Sequence, residues 1–308
     1  MIKRTVSIDN PSRLNIEHKQ LIITQNDEAV GRVPIEDIGL LIVENPNVSY
    51  THSCFMSLLE NNAAIVLIGK SHYPAGLFLP LETNSVQTER FKSQIESAVS
   101  LKKQLWQQIV RKKITNQAKL LESKRVATAP LTEMARNVKS GDSANLEAHA
   151  AKYYWKNLFG KKFRRDRFGL YPNNLLNYGY IILRAATARS LVSSGLLPTL
   201  GIHHRNKYNA FCLADDVMEP YRVFIDRKVH ELYAASDISE LETQELDELP
   251  LDKMTLTKEI KKELLGILAA DVVLDDNTFP LMTALNRTTA SLQRCFAKEQ
   301  KDIEYPSL

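Results

Sequence analysis

Three short stretches of the chain concentrate side chains able to do chemistry. The first is Asp142-Ser143-Ala-Asn-Leu-Glu147-Ala-His149, where Asp142 or Ser143 suits the N-cap of a following helix. Glu147 falls in that helix's opening turns, where the helix dipole favours a carboxylate and where it is also free to bind a cation. The second is Gly201-Ile-His203-His204-Arg-Asn206. Adjacent histidines diverge on a regular element, so one of the pair would enter a given site. The third is Leu213-Ala-Asp215-Asp216-Val-Met-Glu219-Pro220-Tyr-Arg222. If Asp216 caps a helix, Pro220 takes its fourth position, where a missing N–H costs little. Asp216 and Glu219 then share one face. Three acids beside Leu213, Val217 and Met218 require neutralisation, by Arg222 or by a metal ion.

Together these groups offer a mixed carboxylate and imidazole set: Glu147, one of His203 and His204, and Glu219, with Asp216 nearby. Carboxylates and water select hard divalent ions such as Mg²⁺, and one imidazole also suits Mn²⁺. Spacing alone does not make them converge. The surroundings of the first cluster add weight, because Lys152-Tyr-Tyr-Trp-Lys156 and Lys161-Lys162-Phe-Arg164-Arg165-Asp-Arg167-Phe168 follow it. Lysines and arginines interleaved with aromatics can neutralise phosphates and stack on bases or sugars. Tyr154, Trp155 and Phe159 have a second reading, as the core face of a helix. A metal cluster beside a phosphate-binding surface points to phosphodiester chemistry.

The charge distribution agrees. Residues 101–189 hold 19 Lys and Arg against 5 Asp and Glu, a local charge of +14, in a chain whose net charge is only +4. Such asymmetry points to a polyanionic partner, although lysines on a long helix also serve as a solvated face. The chain is long enough for one large domain or two modest ones, and its 44% hydrophobic and 25% charged residues exclude a mainly disordered or collagen-like protein. Cys54, Cys212 and Cys295 are too few and too scattered for a disulfide framework or a zinc knuckle, and read as buried thiols. No apolar run reaches the roughly 18–20 residues of a membrane span. Met1-Ile-Lys-Arg-Thr5 leads into a strand pattern and not an export signal, so a cytoplasmic soluble protein is expected.

The elements that must position these groups differ along the chain. Residues 5–8, 13–17, 21–24 and 29–33 read as short strands, with Gln25-Asn26-Asp27 as a hairpin turn. Residues 39–43, 64–68 and 76–79 are the continuous apolar runs of fully buried strands, and 51–62 is a short helix. Near Asn84 the period changes to 3.6. One helix is expected from about 85 to 123, a second after Pro130 to 139, and another beyond the Ser140-Gly-Asp-Ser143 break. Further helices are expected over 174–193, 216–235, 256–269 and 279–301. Residues 236–252, acidic without a basic residue, read as a mobile surface segment, and 304–308 as a short tail. The fold class is α+β: a small N-terminal β-sheet domain, 1–84, followed by a larger all-helical domain, 85–308.

With Asn145-Leu-Glu147-Ala, Asn173-Asn-Leu-Leu-Asn177-Tyr-Gly-Tyr180, Gly201-Ile-His-His204-Arg-Asn and Ala214-Asp-Asp-Val-Met-Glu219-Pro-Tyr-Arg222 in this order, the chain resembles the CRISPR-associated integrase-nuclease family of spacer acquisition, called Cas-one. It is most like the type II members, and the resemblance covers essentially the whole chain. The resemblance implies that Glu147, His204 and Glu219 are catalytic and ligate Mg²⁺ or Mn²⁺, with Asp216 a secondary candidate and His149 without a role. It implies a DNA integrase and endonuclease that joins 3′-hydroxyl ends of captured fragments to a repeat array by transesterification. Lys152, Lys156, Lys161, Lys162, Arg164, Arg165 and Arg167 would then hold the phosphates of double-stranded DNA. It further implies a homodimer paired through the β domains. Two such dimers would bridge through a dimer of a small second CRISPR-associated protein in a four-to-two complex, and the type II effector nuclease would take part in fragment selection. From the residues alone, two other readings stand beside this one. They are a catalytically silent DNA-capturing subunit and a hydrolase of small phosphate esters, the latter having no need of the basic region.

Overall fold

The computed structural model describes residues 3–69, 74–236 and 256–308. The acidic stretch 236–252 therefore lies, apart from Ser236, outside the described residues. The chain opens with β1 (Arg4–Ile8), β2 (Arg13–Glu17), β3 (Gln20–Gln25), β4 (Glu28–Pro34), β5 (Ile38–Val43), β6 (Ser49–Tyr50), helix α1 (His52–Glu60), β7 (Ala64–Ile68) and β8 (Pro74–Phe78). They form two four-stranded sheets, β1-β5-β7-β8 and β4-β3-β2-β6. In the first, β1, β5 and β7 run parallel and β8 returns antiparallel. The β3–β4 hairpin turns on Asn26 and Asp27, both at positive φ, which these two residue types tolerate.

Why residues 38–43 are apolar without interruption is plain from β5. Successive side chains of a strand point to opposite faces. Leu41 and Val43 enter a core shared with Leu14, Leu21 and Leu58, and Ile38 joins them because the register shifts between it and Leu40. Leu40 and Ile42 enter the much larger core of the helical part. Both faces are covered, so no polar residue interrupts the run.

The helical part contains α2 (Gln87–Ile95), α3 (Val99–Ser123), α4 (Ala129–Asn137), α5 (Leu146–Leu158), α6 (Asn173–Ser193), α7 (Cys212–Met218), α8 (Arg222–Ala234) and α9 (Lys258–Gly266). A hairpin of β9 (Asp271–Leu274) and β10 (Asn277–Pro280) follows, then α10 (Leu281–Phe296). That hairpin and the two-residue β6 were not foreseen from the sequence, being too short to carry a periodic signal. Among the described residues no helix is long and apolar enough to cross a membrane. All three cysteines are buried and unpaired.

Two helix expectations require correction. The single helix over 85–123 breaks before Val99, where Ala98 takes an extended conformation. Tertiary contact overrides periodicity here. The buried Gln94 side chain bonds Leu197 at both N–H and C=O, and also the Leu200 carbonyl, which fixes α2 on the 197–200 loop. The second correction concerns 216–235, which is two helices joined by a 3₁₀ turn, Glu219–Tyr221. Asp216 lies inside α7 and does not cap a helix.

Candidate active site

Four elements converge on Glu219: α3, α5, the 201–206 loop and the α7–α8 turn. Helix α5 is placed by Asp142, whose carboxylate accepts the N–H groups of Leu146 at 2.9 Å and Glu147 at 3.0 Å. Asp142 thus supplies the capping bonds, but from three residues before the N-cap position, which Asn145 occupies in the left-handed conformation, and it fixes the backbone of Glu147 itself. His149 on the same helix is exposed.

The 201–204 loop is folded around Asp216, which is fully buried. One Asp216 oxygen accepts the N–H of Ile202 at 2.6 Å and of His203 at 2.8 Å. The other accepts the N–H of His204 at 3.3 Å and lies 2.5 Å from His204 Nδ1. A β-carbon on Gly201 would sit 2.3 Å from the His204 carbonyl, so this loop can close only on glycine. The neighbouring histidines are divided as their adjacency requires: His203 stacks on Trp106 at 4.2 Å and nearly parallel, while His204 turns to Asp216. The hydrogen bond that the His204 ring donates to Asp216 raises the His204 pKa against the opposing effect of burial. Asp216, the secondary ligand candidate, thus has both oxygens committed and stands behind His204 as its orienting partner.

The three acids of the third cluster are neutralised separately. Asp215 pairs with Arg184 through two bonds of 2.6 and 3.1 Å. Asp216 takes the loop N–H groups and His204. Glu219, 4% exposed, lies 2.9 Å from Arg222 Nη2 and 2.7 Å from Lys113 Nζ. The same ammonium lies 2.6 Å from Glu147 Oε1. Burial works against the Glu219 charge, but Arg222 and Lys113 outweigh it and hold this carboxyl below the usual range. Burial likewise opposes the Lys113 charge, and Glu219 and Glu147 overcome it to raise that pKa. Lys113 was missed from the sequence. The signal was a lysine three and four residues after Val110 and Ile109, inside the buried stripe of α3.

The structure thus brings Glu147 and Glu219 together around one cationic centre. Among the described residues no three His, Cys, Asp or Glu side chains are already grouped to hold a metal ion. The donor chemistry nevertheless fits one. Two carboxylates already share a positive charge, and His204 has Nδ1 engaged by a carboxylate, which leaves Nε2 as the free nitrogen. Metal-binding histidines are commonly oriented in this way.

The predicted DNA-binding residues divide into two groups. Lys152 and Lys156 on α5, and Lys161, Lys162, Arg164 and Arg167 beyond it, are exposed. Arg165 is tied inward to Asn173 Oδ1 at 3.1 Å and Asn177 Oδ1 at 2.6 Å. Tyr154 and Phe159 lie in the core with Trp155 packed against it, so their structural reading holds. A cleft of about 650 Å³ opens between β8 and α6, lined by Arg165, Arg167, Arg184 and Arg222 among others. Phe168, 82% exposed, stands on its wall. Arg222 both lines the cleft and holds Glu219, so the cleft adjoins the carboxylates.

Residues 6–269 match the family model described as CRISPR associated protein Cas1. The chain is 35% identical over 311 residues to the CRISPR-associated endonuclease Cas1 of Neisseria meningitidis serogroup C, covering 100% of this chain and 97% of the relative. Among solved structures it resembles a casposase bound to integration product, with a TM-score of 0.73 and 17% identity, over 98% of this chain and 92% of the other. It also resembles a chain of a Cas6-RT-Cas1–Cas2 complex, with a TM-score of 0.71 and 18% identity, over 98% of this chain and 36% of the other. At such identities these two likenesses establish the fold. On the family match and the full-length relative together, the chain belongs to the Cas1 family of CRISPR-associated proteins.

Proposed function

We propose that this chain is a metal-dependent DNA integrase and endonuclease of CRISPR adaptation. It would join the 3′-hydroxyl ends of captured double-stranded fragments to a repeat array by transesterification. The observation that carries the reading is the Lys113 ammonium held between Glu147 and Glu219, 2.6 and 2.7 Å away. A cation between two converging carboxylates supports a reading in which Mg²⁺ or Mn²⁺ would be held there, with His204 Nε2 as third donor.

When bound there, the divalent ion would polarise the scissile phosphate and lower the pKa of the attacking hydroxyl. The chain's own residues do the rest. Asp216 fixes the His204 ring through Nδ1, which keeps Nε2 as the nitrogen open to a cation. Arg222 keeps the Glu219 carboxyl ionised beside the cleft. Arg165 and Arg167 give the cleft the positive potential that draws in a phosphodiester strand. Lys152, Lys156, Lys161, Lys162 and Arg164 extend that surface outward for duplex phosphates. Water in place of the 3′-hydroxyl gives endonuclease cleavage at the same centre.

What two structures of this fold contain supports DNA and a Cas2-type protein as partners. A relative of this fold is found with Cas2 and another with integration product. The reading further expects, from the family resemblance, a four-to-two complex with a small adaptation protein, a homodimer paired through residues 1–84 with the catalytic part at 85–308, and type II membership with its effector nuclease.

The same Lys113 contact also suits a catalytically silent DNA-capturing subunit, in which the ammonium permanently fills the cation position. One experiment separates the two. The chain is incubated with a branched DNA that mimics a half-integrated fragment, with Mn²⁺, Mg²⁺ or a chelator, and with the small partner protein. Metal-dependent resealing of the target strand, lost in His204→Ala and retained in His203→Ala, supports the enzyme. Tight binding without reaction in any metal supports the silent subunit.

A further inference from the structure

Glu219 is carried by the short 3₁₀ turn Glu219–Tyr221 between α7 and α8, and Pro220 within it has no N–H to give. Turns of this kind hydrogen-bond poorly along their own backbone. The Glu219 N–H bonds the Asp216 carbonyl and its own carbonyl accepts the Arg222 N–H, but Val217, Pro220 and Tyr221 around it take further anchors from outside the turn. Residues 304–308 and one side chain of α3 supply them.

Asn116, completely buried, donates from Nδ2 to the Pro220 carbonyl at 3.0 Å and to the Pro306 carbonyl at 3.2 Å. The Tyr305 hydroxyl donates to the Val217 carbonyl at 3.2 Å. The Tyr221 hydroxyl lies 2.6 Å from Thr288 Oγ1, and Thr288 in turn donates to the Glu304 carbonyl at 2.6 Å. Positions 217, 220 and 221 are therefore anchored on both sides of Glu219 to the same segment. The segment is itself fixed, by Ser307 N–H on the Val273 carbonyl at 2.8 Å and by Glu304 on Arg294 at 2.9 Å. Asn116 stands one turn beyond Lys113 on α3, so one helix supplies both the charge partner of Glu219 and the anchor of its backbone.

We infer that Asn116 and Tyr305, with residues 304–308, are positioning residues that set the place of the Glu219 carboxylate for cation binding. The segment read from the sequence as a tail is a working part of the site. This rests on the metal reading above.

The test measures Mn²⁺ affinity without DNA, by titration calorimetry on the full chain, for the parent, Asn116→Leu and Tyr305→Phe. Melting temperature, DNA affinity and resealing of the branched DNA across a Mn²⁺ series are recorded beside it. Asn116→Leu removes both hydrogen bonds by which α3 holds the Pro220 and Pro306 carbonyls, so about a three- to tenfold loss of Mn²⁺ affinity is expected. Tyr305→Phe keeps the ring and removes one hydrogen bond, so about a two- to fivefold loss is expected. Both variants should bind DNA as the parent does, and excess Mn²⁺ should restore their resealing rate. A folded variant with parental Mn²⁺ affinity, or a rate loss that excess Mn²⁺ does not rescue, overturns the inference. Tyr305→Phe decides the matter if Asn116→Leu fails to fold. A parent chain that binds no Mn²⁺ overturns the metal reading instead, and this inference with it.

Discussion

Glu219 and Asp226 are both buried carboxylates on the α7–α8 segment, yet their surroundings drive them in opposite directions. Glu219 has two cations, Lys113 and Arg222, within ion-pair distance, and stays ionised despite its burial. Asp226 has for direct partners two phenols, Tyr154 at 2.8 Å and Tyr180 closer still. Burial dominates there and pushes its pKa up to about 6. A phenol satisfies a carboxylate's lone pairs but brings no opposite charge, so it only partly offsets desolvation. The contrast separates a charge kept for binding from one tolerated for packing.

The most damaging way to break this contrast is to remove Glu219. Glu219→Ala leaves Arg222 without its acid and Lys113 with Glu147 alone, and should cost about 3 kcal/mol in chemical denaturation. Glu147→Ala should cost less, since Lys113 retains Glu219 and the Glu147 side chain is 23% exposed. Both should abolish strand transfer while leaving DNA binding nearly intact wherever the variants are folded. Loss of binding in the better-folded Glu147→Ala would assign that residue a structural role.

A pH series on Asp226 sharpens the other side. Its folded pKa of about 6 stands above the ordinary 3.8, so the unfolded chain gives up this proton more readily. Its contribution to stability is full below about pH 4 and is lost as pH rises through 6, by about 3 kcal/mol in all. Asp226→Asn cannot ionise and should flatten that part of the profile. Denaturation midpoints at pH 4 and pH 7 measure the difference, and an unchanged profile would show that the phenols hold Asp226 ionised after all.

The smallest effect concerns the exposed bases. Arg164 is free at the surface, so Arg164→Ala should weaken DNA binding and lower the slope of log affinity against log salt by about one. Arg165 is bonded to Asn173 and Asn177. Arg165→Ala should therefore also loosen the 161–167 loop, seen as faster amide exchange there. An unchanged salt slope in the double variant would move the DNA surface elsewhere.

Much of the fold was legible in the residues. The hairpin turn at Asn26 and Asp27, the doubly buried β5 and the Asp142 cap each follow from local rules, because each depends on neighbours in sequence. The site was legible as an inventory, since acids, imidazoles and bases announce themselves by type. Its wiring was not. Asp216 was readable as a cap or as a secondary ligand. Its fully buried place inside α7, facing four donors of the 202–204 loop, makes it instead the orienting partner of His204. The break before Val99 and the docking of residues 304–308 were hidden for the same reason, because Gln94, Asn116 and Tyr305 act on residues about 90 to 190 positions away.

The order of strands and helices, the basic middle of the chain and the residue types at the site are properties of the sequence by itself, written in periodicity, turn chemistry and charge. Which carboxylate faces which cation is a property of tertiary structure alone. Burial makes each charge depend on a partner a few ångströms away, and only the packing of α3, α5 and the α7–α8 turn brings Lys113, Glu147 and Glu219 to one point.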